Sequence, residues 1–466
     1  MSGAILRRRG VLLLAGACAF SVGCTMGPKY QRPAIATPDQ YRGSAATAAS
    51  PESLGDTEWW KLFQDEALQK LIRAALDGSP SMEIAAARVA QAQAQAGITR
   101  ADQFPSIGAS ATVARQKSAG LSVFPGFEST SAGLTLSAVW QLDFWGRYRK
   151  ATEAARAELT ATQWGQKAVV ATLVANVAAA YFSLRELDLE LEISQRTLSA
   201  RRESLALNRT LEKGGAISLM DVHQAEILVE QAATRIPDLE KRVAQQENLL
   251  SILLGRNPGE IERGFRLTEQ LPPPAVPAGL PSSLLERRPD IQAAEWQLIA
   301  ANARIGVAKA AWFPQISLTG SGGYQAYGID NLFDSKVYNA GVNLAQPVFE
   351  FGRIRSGVRL SEARKEELAA TYRQSIQEAF REVSDALVAT VKNREFRERQ
   401  EALQQAASRA ASLSEIRYKG GATTYLEVLQ SQTNLFDAEI GLAQAELGER
   451  LAAVQLYNAL GGGWKQ

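Results

Sequence analysis

The sequence predicts a mixed α-helical and transmembrane β fold built as a tandem repeat. Four landmarks recur in the same order in each half of the 466 residues, each half holds two segments of period-two alternation, and each half holds a helical stretch too long for an ordinary globule. Together these observations describe two copies of one plan: helix, strand pair, long helical hairpin.

The repeat is read first because it fixes the boundaries. AGITRADQFPSIGAS (96–110) aligns with RIGVAKAAWFPQISLTG (304–320), matching Gly97 with Gly306, Phe104-Pro105 with Phe313-Pro314 and Ile107 with Ile316. LDFWGR (142–147) then aligns with VFEFGR (348–353), KGGA (213–216) with KGGA (419–422), and ILLG (252–255) with NALG (458–461), all at offsets of about 206 to 209. The expected organisation is a signal peptide over 1–23, an extended leader over 24–56, a first repeat over 57–270, a proline-rich connector over 271–283 (LPPPAVPAGLP begins at Leu271) and a second repeat over 284–466.

Each repeat opens with a helix, over about 81–101 and about 284–311, that stops at Phe-Pro, where proline disfavours helical geometry in the residue before it. Alternating segments follow. Leu134, Leu136, Ala138, Trp140, Leu142 and Phe144 share one parity, and Ser131, Thr135, Ser137, Gln141 and Asp143 the other. Ile316, Leu318 and Tyr324 alternate with Ser317, Thr319 and Gln325, and Tyr338, Val342, Leu344 and Val348 with Asn339 and Asn343. The predicted strands are 105–118, 130–144, 314–326 and 337–350.

After Gly146-Arg147 and Gly352-Arg353 come helices of about 66 residues, roughly 100 Å at 1.5 Å per residue. Each ends at KGGA. Lysine suits the negative end of the helix dipole and glycine the left-handed cap conformation. Ser218-Leu-Met-Asp221 and Thr424-Tyr-Leu-Glu427 then read as capping boxes opening return helices, so the chain turns at 213–217 and 419–423.

Composition narrows the function. Fifty-one basic against 49 acidic residues give a net charge of +2, spread along the chain, which points away from nucleic acid. The single histidine, His223, excludes a multi-histidine zinc site, and its place one turn into a helix suits a surface or packing role. GSGGYQAYG (320–328) opens no helix and lacks a lysine, so it is not a phosphate loop, and REFRERQE (394–401) reads as a solvated helix face. No acid-base pair with a nucleophile or metal set stands out, so no enzyme and no cofactor is expected.

At the N-terminus, Arg7, Arg8 and Arg9 precede an apolar run from Val11 to Phe20 and the tetrad SVGC, the pattern of a secretory signal with a lipobox. Cys24 is the expected lipidation site, with Cys18 as the rival position, and Thr25 after it favours the outer membrane. No stretch beyond residue 24 carries the roughly 20 uncharged apolar residues of a transmembrane helix, so a crossing has to be made by strands. In lipid a sheet must close, and a closed barrel needs at least about eight strands. One chain cannot supply them; two would give a barrel with little lumen, and three would give twelve strands. Aromatic residues near the strand ends, among them Trp140, Trp145, Phe313 and Tyr338, suit interfacial girdles.

RRPDIQAAEWQLIAANARIGVAKAAWFPQISLTGSGGY (287–324), CTMGPKYQRP (24–33), AAAYFSLRELDLELEI (178–193) and RYKGGATTYLEVLQSQ (417–432) carry a resemblance to the TolC-like outer-membrane efflux channels, in their OprM-type lipoprotein branch. The likeness spans the mature chain in order. It implies a homotrimer with a twelve-stranded β-barrel in the outer membrane and an α-helical barrel crossing the periplasm. It implies as partners a periplasmic adaptor and an inner-membrane transporter, often of the RND class, with lipid on Cys24 as the only attached group.

It also implies that acids at Asp221 and Glu427 line the periplasmic aperture, a role compatible with capping. Gln430 stands where many relatives have a further aspartate, and Thr423 where some have an arginine that locks the closed tip, so gating here rests on other contacts or is looser. The turns Lys213, Gly214, Gly215, Ala216 and Lys419, Gly420, Gly421, Ala422 are the candidate adaptor contacts. The function expected is a passive exit duct for small molecules. A protein or polysaccharide secretion channel and a non-conducting coiled-coil scaffold are the alternatives.

Overall fold

In a computed structural model of the chain, residues 25–35, 37–38, 40–42, 53–56, 58–119, 126–270 and 281–464 are described; the signal segment, Cys18, Cys24 and residues 271–280 of the connector lie outside them. The described elements run α1 (Trp59–Leu62), α2 (Glu66–Gly78), α3 (Pro80–Ala101), β1 (Ser106–Lys117), β2 (Glu128–Leu142), α4 (Arg147–Lys213) and α5 (Leu219–Leu253). They continue with α6 (Pro281–Arg287), α7 (Pro289–Ala310), β3 (Gln315–Tyr327), β4 (Lys336–Ala345), α8 (Arg353–Lys419) and α9 (Tyr425–Ala459). Repeat-related helices have equal lengths: 22 residues for α3 and α7, 67 for α4 and α8, 35 for α5 and α9.

The chain divides into two compact units. The first takes Arg88–Gln163 and Ala293–Arg373 with the leader up to Ala34. Its sheet is antiparallel in the order β1-β2-β3-β4, so β1 and β4 are both edges. Every residue of β1 and of β4 is exposed. β4 ends at Ala345, short of the predicted 350, because Pro347 removes a backbone donor two residues on. Residues 25–35 of the leader form neither helix nor strand, and they are docked. Met26 N–H donates to the Trp145 carbonyl (3.2 Å), Asn302 Nδ2 to the Pro28 carbonyl (2.9 Å), and Tyr30 Oη and Arg32 to Glu295. A Cβ on Gly306 would lie 2.4 Å from the Met26 carbonyl, whereas its repeat mate Gly97 faces open space.

The second unit takes Ile35–Ala87, Trp164–Gln292 and Gln374–Gln466. The expected helix over 284–311 is two helices, parted at Arg288, because Pro289 disfavours helical geometry in its predecessor and suits the first position of α7. Arg288 is held at that break by Asp290 (2.6 Å), Glu382 (2.7 Å) and the Ala459 carbonyl (3.0 Å). Helix α2 was not foreseen. Asp65 caps it by accepting from Ala67 N–H (2.9 Å), and the same carboxylate accepts from Tyr181 Oη (2.7 Å), Phe265 N–H (3.1 Å) and Gln270 Nε2 (2.6 Å).

One expectation needs correction. Helix α4 does carry a stretch that by length and composition alone could pass for a membrane span. More than half of that stretch is buried inside the structure, and Val174, Val177, Ala178 and Tyr181 of the same helix are fully buried, so it serves as core.

Candidate functional site

The sequence singles out the two KGGA turns, and the second unit shows how they are made. Gly214 N–H bonds to the Thr210 carbonyl, Gly215 N–H to Glu212 (2.8 Å) and Ala216 N–H to Leu211 (2.9 Å). The second turn repeats the pattern: Gly420 to Ile416, Gly421 to Tyr418 (2.9 Å) and Ala422 to Arg417 (2.8 Å). This is the Schellman ending of a helix, in which the last carbonyls are answered by the chain just beyond. The left-handed residue is the second glycine of each pair, since Gly215 and Gly421 both hold φ of 72°. All eight residues from Lys213 to Ala216 and from Lys419 to Ala422 are exposed.

The helices that leave the turns are capped differently. Ser218 Oγ accepts from Asp221 N–H (3.3 Å) and Asp221 Oδ2 accepts from Ser218 N–H (3.1 Å), so the first capping box is present as read. The second is not. Thr424 makes no side-chain cap, and Glu427 is drawn instead to Arg417 Nη1 (3.1 Å) and to the Thr423 hydroxyl. Glutamate is one methylene longer than aspartate and reaches across the turn to the guanidinium, which also donates to the Ala422 carbonyl (3.4 Å). Gln430 bonds to Asn434 Oδ1 (2.9 Å) along its own helix and joins neither acid. His223 pairs with Glu226 (2.9 Å), whose carboxyl is held below its usual range first by Arg209 and then by His223.

The two hairpins pack on each other behind the turns. Leu198, Leu205, Val222, Ala225, Val229 and Ala232 of the first bury against Tyr425 and Val428 of the second, with Tyr418 and Ile217 at the margin. Tyr418 Oη bonds to Asn208 Oδ1 (3.3 Å), and burial, then the charge of Asp221, pushes its phenol up. Ile217 of the first turn and Tyr418 beside the second both pack on this one cluster, so the structure brings both turns to one place.

Sequence reading missed two features here. One is Arg417, the cation that answers Glu427. The other is a buried acid pair within the first hairpin: Glu186 and Glu190 are 4% and 3% exposed. Glu190 accepts from Gln444 Nε2 (2.8 Å) and lies 3.6 Å from Arg242, and burial followed by the neighbouring Glu190 pushes the Glu186 carboxyl up to about 8. The signal was available, since the buried positions Ala178 and Phe182 continue in steps of four onto Glu186 and Glu190. Among the described residues no cluster of histidine, cysteine or acidic side chains has the arrangement of a metal site.

Comparison with known proteins places this geometry. The profile of the family described as "Outer membrane efflux protein" matches residues 71–256 and 280–462, one segment per repeat. The outer membrane protein OprJ of Pseudomonas aeruginosa is 36% identical over 464 residues, covering 96% of this chain and 95% of OprJ. The toluene efflux pump outer membrane protein TtgC of Pseudomonas putida is 36% identical over 469 residues, covering 98% and 96%. Among solved structures, the outer-membrane channel OprN superposes with a TM-score of 0.88 at 29% identity, covering 95% of this chain and all of that one.

Proposed function

The chain belongs to the outer membrane efflux protein family and is an outer-membrane efflux channel, and on that premise we propose how its parts divide the task. Three copies pool their strands into a twelve-stranded barrel in the outer membrane, and their hairpins wall the periplasmic part of the duct. The observation that carries this is the four-stranded sheet whose two edge strands are exposed along their whole length. In lipid each unanswered backbone group costs several kcal/mol, so such edges demand further copies of the chain.

The duct performs no chemistry. It accepts small molecules from an inner-membrane transporter, of the RND class, through a periplasmic adaptor, and the transporter supplies the energy. A relative named for toluene efflux supports toxic small molecules as the cargo, in preference to protein or polysaccharide. Lipid on Cys24 anchors the leader to the membrane. The turns Lys213–Ala216 and Lys419–Ala422 meet the adaptor, their exposed glycines allowing close backbone approach.

Of the two candidate aperture acids, Glu427 is the gating one. Its carboxylate is held by groups on its own turn, Arg417 and Thr423, which can release it, whereas Asp221 is engaged in a helix cap. With threonine at position 423, gating here rests on these contacts of Glu427 with Arg417 and Thr423.

Reconstitution into planar bilayers tests the function. Wild-type protein conducts in discrete steps, and Arg417→Ala opens more readily. A trimer that inserts but never conducts, with or without Arg417→Ala, marks a scaffold instead. Cys24→Ala abolishes lipidation and leaves the trimer intact; recovery of monomers alone would remove the barrel as the source of assembly.

A further inference from the structure

The tandem repeat fixes how neighbouring copies join, a question that rests on the trimer proposed above but goes beyond it. Two offsets relate the halves: 209 from Phe104-Pro105 to Phe313-Pro314, and 206 from Gly146-Arg147 to Gly352-Arg353. The sheet obeys both. Ser106 pairs with Val139; adding 209 and 206 gives Gln315 and Ala345, which are paired. Side chains follow the same rule. Trp140 Nε1 donates to the Gln103 carbonyl (2.9 Å), and at the shifted positions Gln346 Nε2 donates to the Trp312 carbonyl (3.1 Å).

The central seam, between β2 of the first repeat and β3 of the second, is therefore a template for the seam that the lone chain lacks. In it Leu136 lies opposite Gly322, and at its base Trp145 stacks on Phe313 with ring centroids 4.7 Å apart. The offsets carry Leu136 to Val342 and Gly322 to Val113, and they carry Trp145 to Phe351 and Phe313 to Phe104. All four target side chains are exposed, Val342 at 71%, Val113 at 63%, Phe351 at 91% and Phe104 at 57%, and the Phe351 ring meets its chain neighbour Phe349 edge-on with centroids 4.5 Å apart.

We infer that β4 of one copy pairs antiparallel with β1 of the next with Val342 opposite Val113 of the partner subunit, and that Phe351 stacks on Phe104 of the partner subunit. The register is consistent with the faces of the sheet. Ile107, Ala109, Ala111 and Val113 lie opposite the apolar parity of β2, and Val342 and Leu344 opposite Leu318 and Ile316 of β3. The inferred pairing joins these two rows, whereas a slip of one residue would set polar positions among them. Phe351 also has the only positive φ (47°) of a non-glycine residue among the described residues, while Trp145, with its ring engaged, does not. One asymmetry remains. Trp145 Nε1 also donates to the Pro314 carbonyl (2.8 Å), a bond that phenylalanine at 351 cannot make to Pro105 of the partner subunit.

Disulfide trapping in full-length protein tests the register. Under copper-phenanthroline oxidation, Val113→Cys with Val342→Cys runs as covalent dimers and trimers on non-reducing denaturing gels. Val113→Cys with Ala340→Cys, or with Leu344→Cys, which report slips of two residues on the same face, stays largely monomeric; wild type and the single variants give the blank. Stronger trapping by a slipped pair overturns the register while leaving the trimer standing. Native mass measurement showing no oligomer for wild type overturns the multi-chain barrel itself. Phe351→Ala lowers the temperature at which trimers dissociate, and Phe351→Trp, restoring the missing donor, raises it above wild type. Equal dissociation temperatures for all three overturn the stacked pair.

Discussion

The two helical hairpins share a backbone and differ in what their side chains do with it. Both combine helices of 67 and 35 residues, and both turn on a glycine at φ 72°. Yet the first turn is closed by Ser218 and Asp221 within one helix end, and the second by Arg417 and Glu427 across the turn. Deeper in, the first hairpin buries Glu186 and Glu190, whereas the repeat-related positions of the second hold an exposed Lys392 and Phe396. Duplication preserved what the main chain requires and left the polar contacts to diverge. The first turn closes on a helix cap, and the second on an ion pair that is half exposed.

Experiments that separate the hairpins follow in order of size. The largest effect is expected at the acid pair. The folded chain keeps a proton on Glu186, whose carboxyl is raised to about 8, that the unfolded chain releases near 4.5. Stability present below pH 4.5 therefore falls as the pH rises and is lost through about pH 8. Glu186→Gln should raise stability at pH 8 by on the order of 2–4 kcal/mol and flatten this slope, read by thermal unfolding at several pH values. A slope unchanged by the substitution would place the titration elsewhere.

Next come the turns. Gly215→Ala and Gly421→Ala should each cost about 1–2 kcal/mol, because a Cβ disfavours the left-handed conformation although open space surrounds both sites. Gly214→Ala and Gly420→Ala, where the added atom meets only carbonyls at 3.5 Å or beyond, should change stability far less. Equal losses at all four glycines would mean that both members of each pair are needed for the turn.

Smaller again is Asp221→Ala, expected to cost about 0.5–1 kcal/mol through loss of the first cap, with conductance unchanged. Smallest in stability is Glu427→Gln, at about 0.5 kcal/mol or less since its pair with Arg417 is half exposed, but it should raise the open probability of single channels. A conductance effect from Asp221→Ala and none from Glu427→Gln would reverse the assignment of the gate.

Much of the fold was legible because its landmarks are backbone requirements. Phe-Pro ends a helix, Gly-Gly makes a left-handed cap, and alternation marks a sheet with two faces; each acts within a few residues and leaves its own letters. What stayed hidden depends on residues far apart in the chain. Thr424-x-x-Glu427 matches the capping-box pattern better than Ser218-x-x-Asp221, yet only the latter caps, because Arg417 competes for the glutamate. Helix α2 and the partners of Asp65 left no periodic trace. The periplasmic tunnel and the adaptor came from resemblance, since spacing and charge alone name no partner.

Asp65 has a consequence for the order of folding. Its answering groups, Tyr181, Phe265 and Gln270, lie 116, 200 and 205 positions further along the chain. A chain exported amino-terminus first delivers this carboxylate long before those donors, and closing so wide a loop is slow compared with winding the helices between them. By loop-closure entropy the Asp65 cluster is expected to close after the helices between its partners, and it cannot be complete until Gln270, at the end of the first repeat, is present.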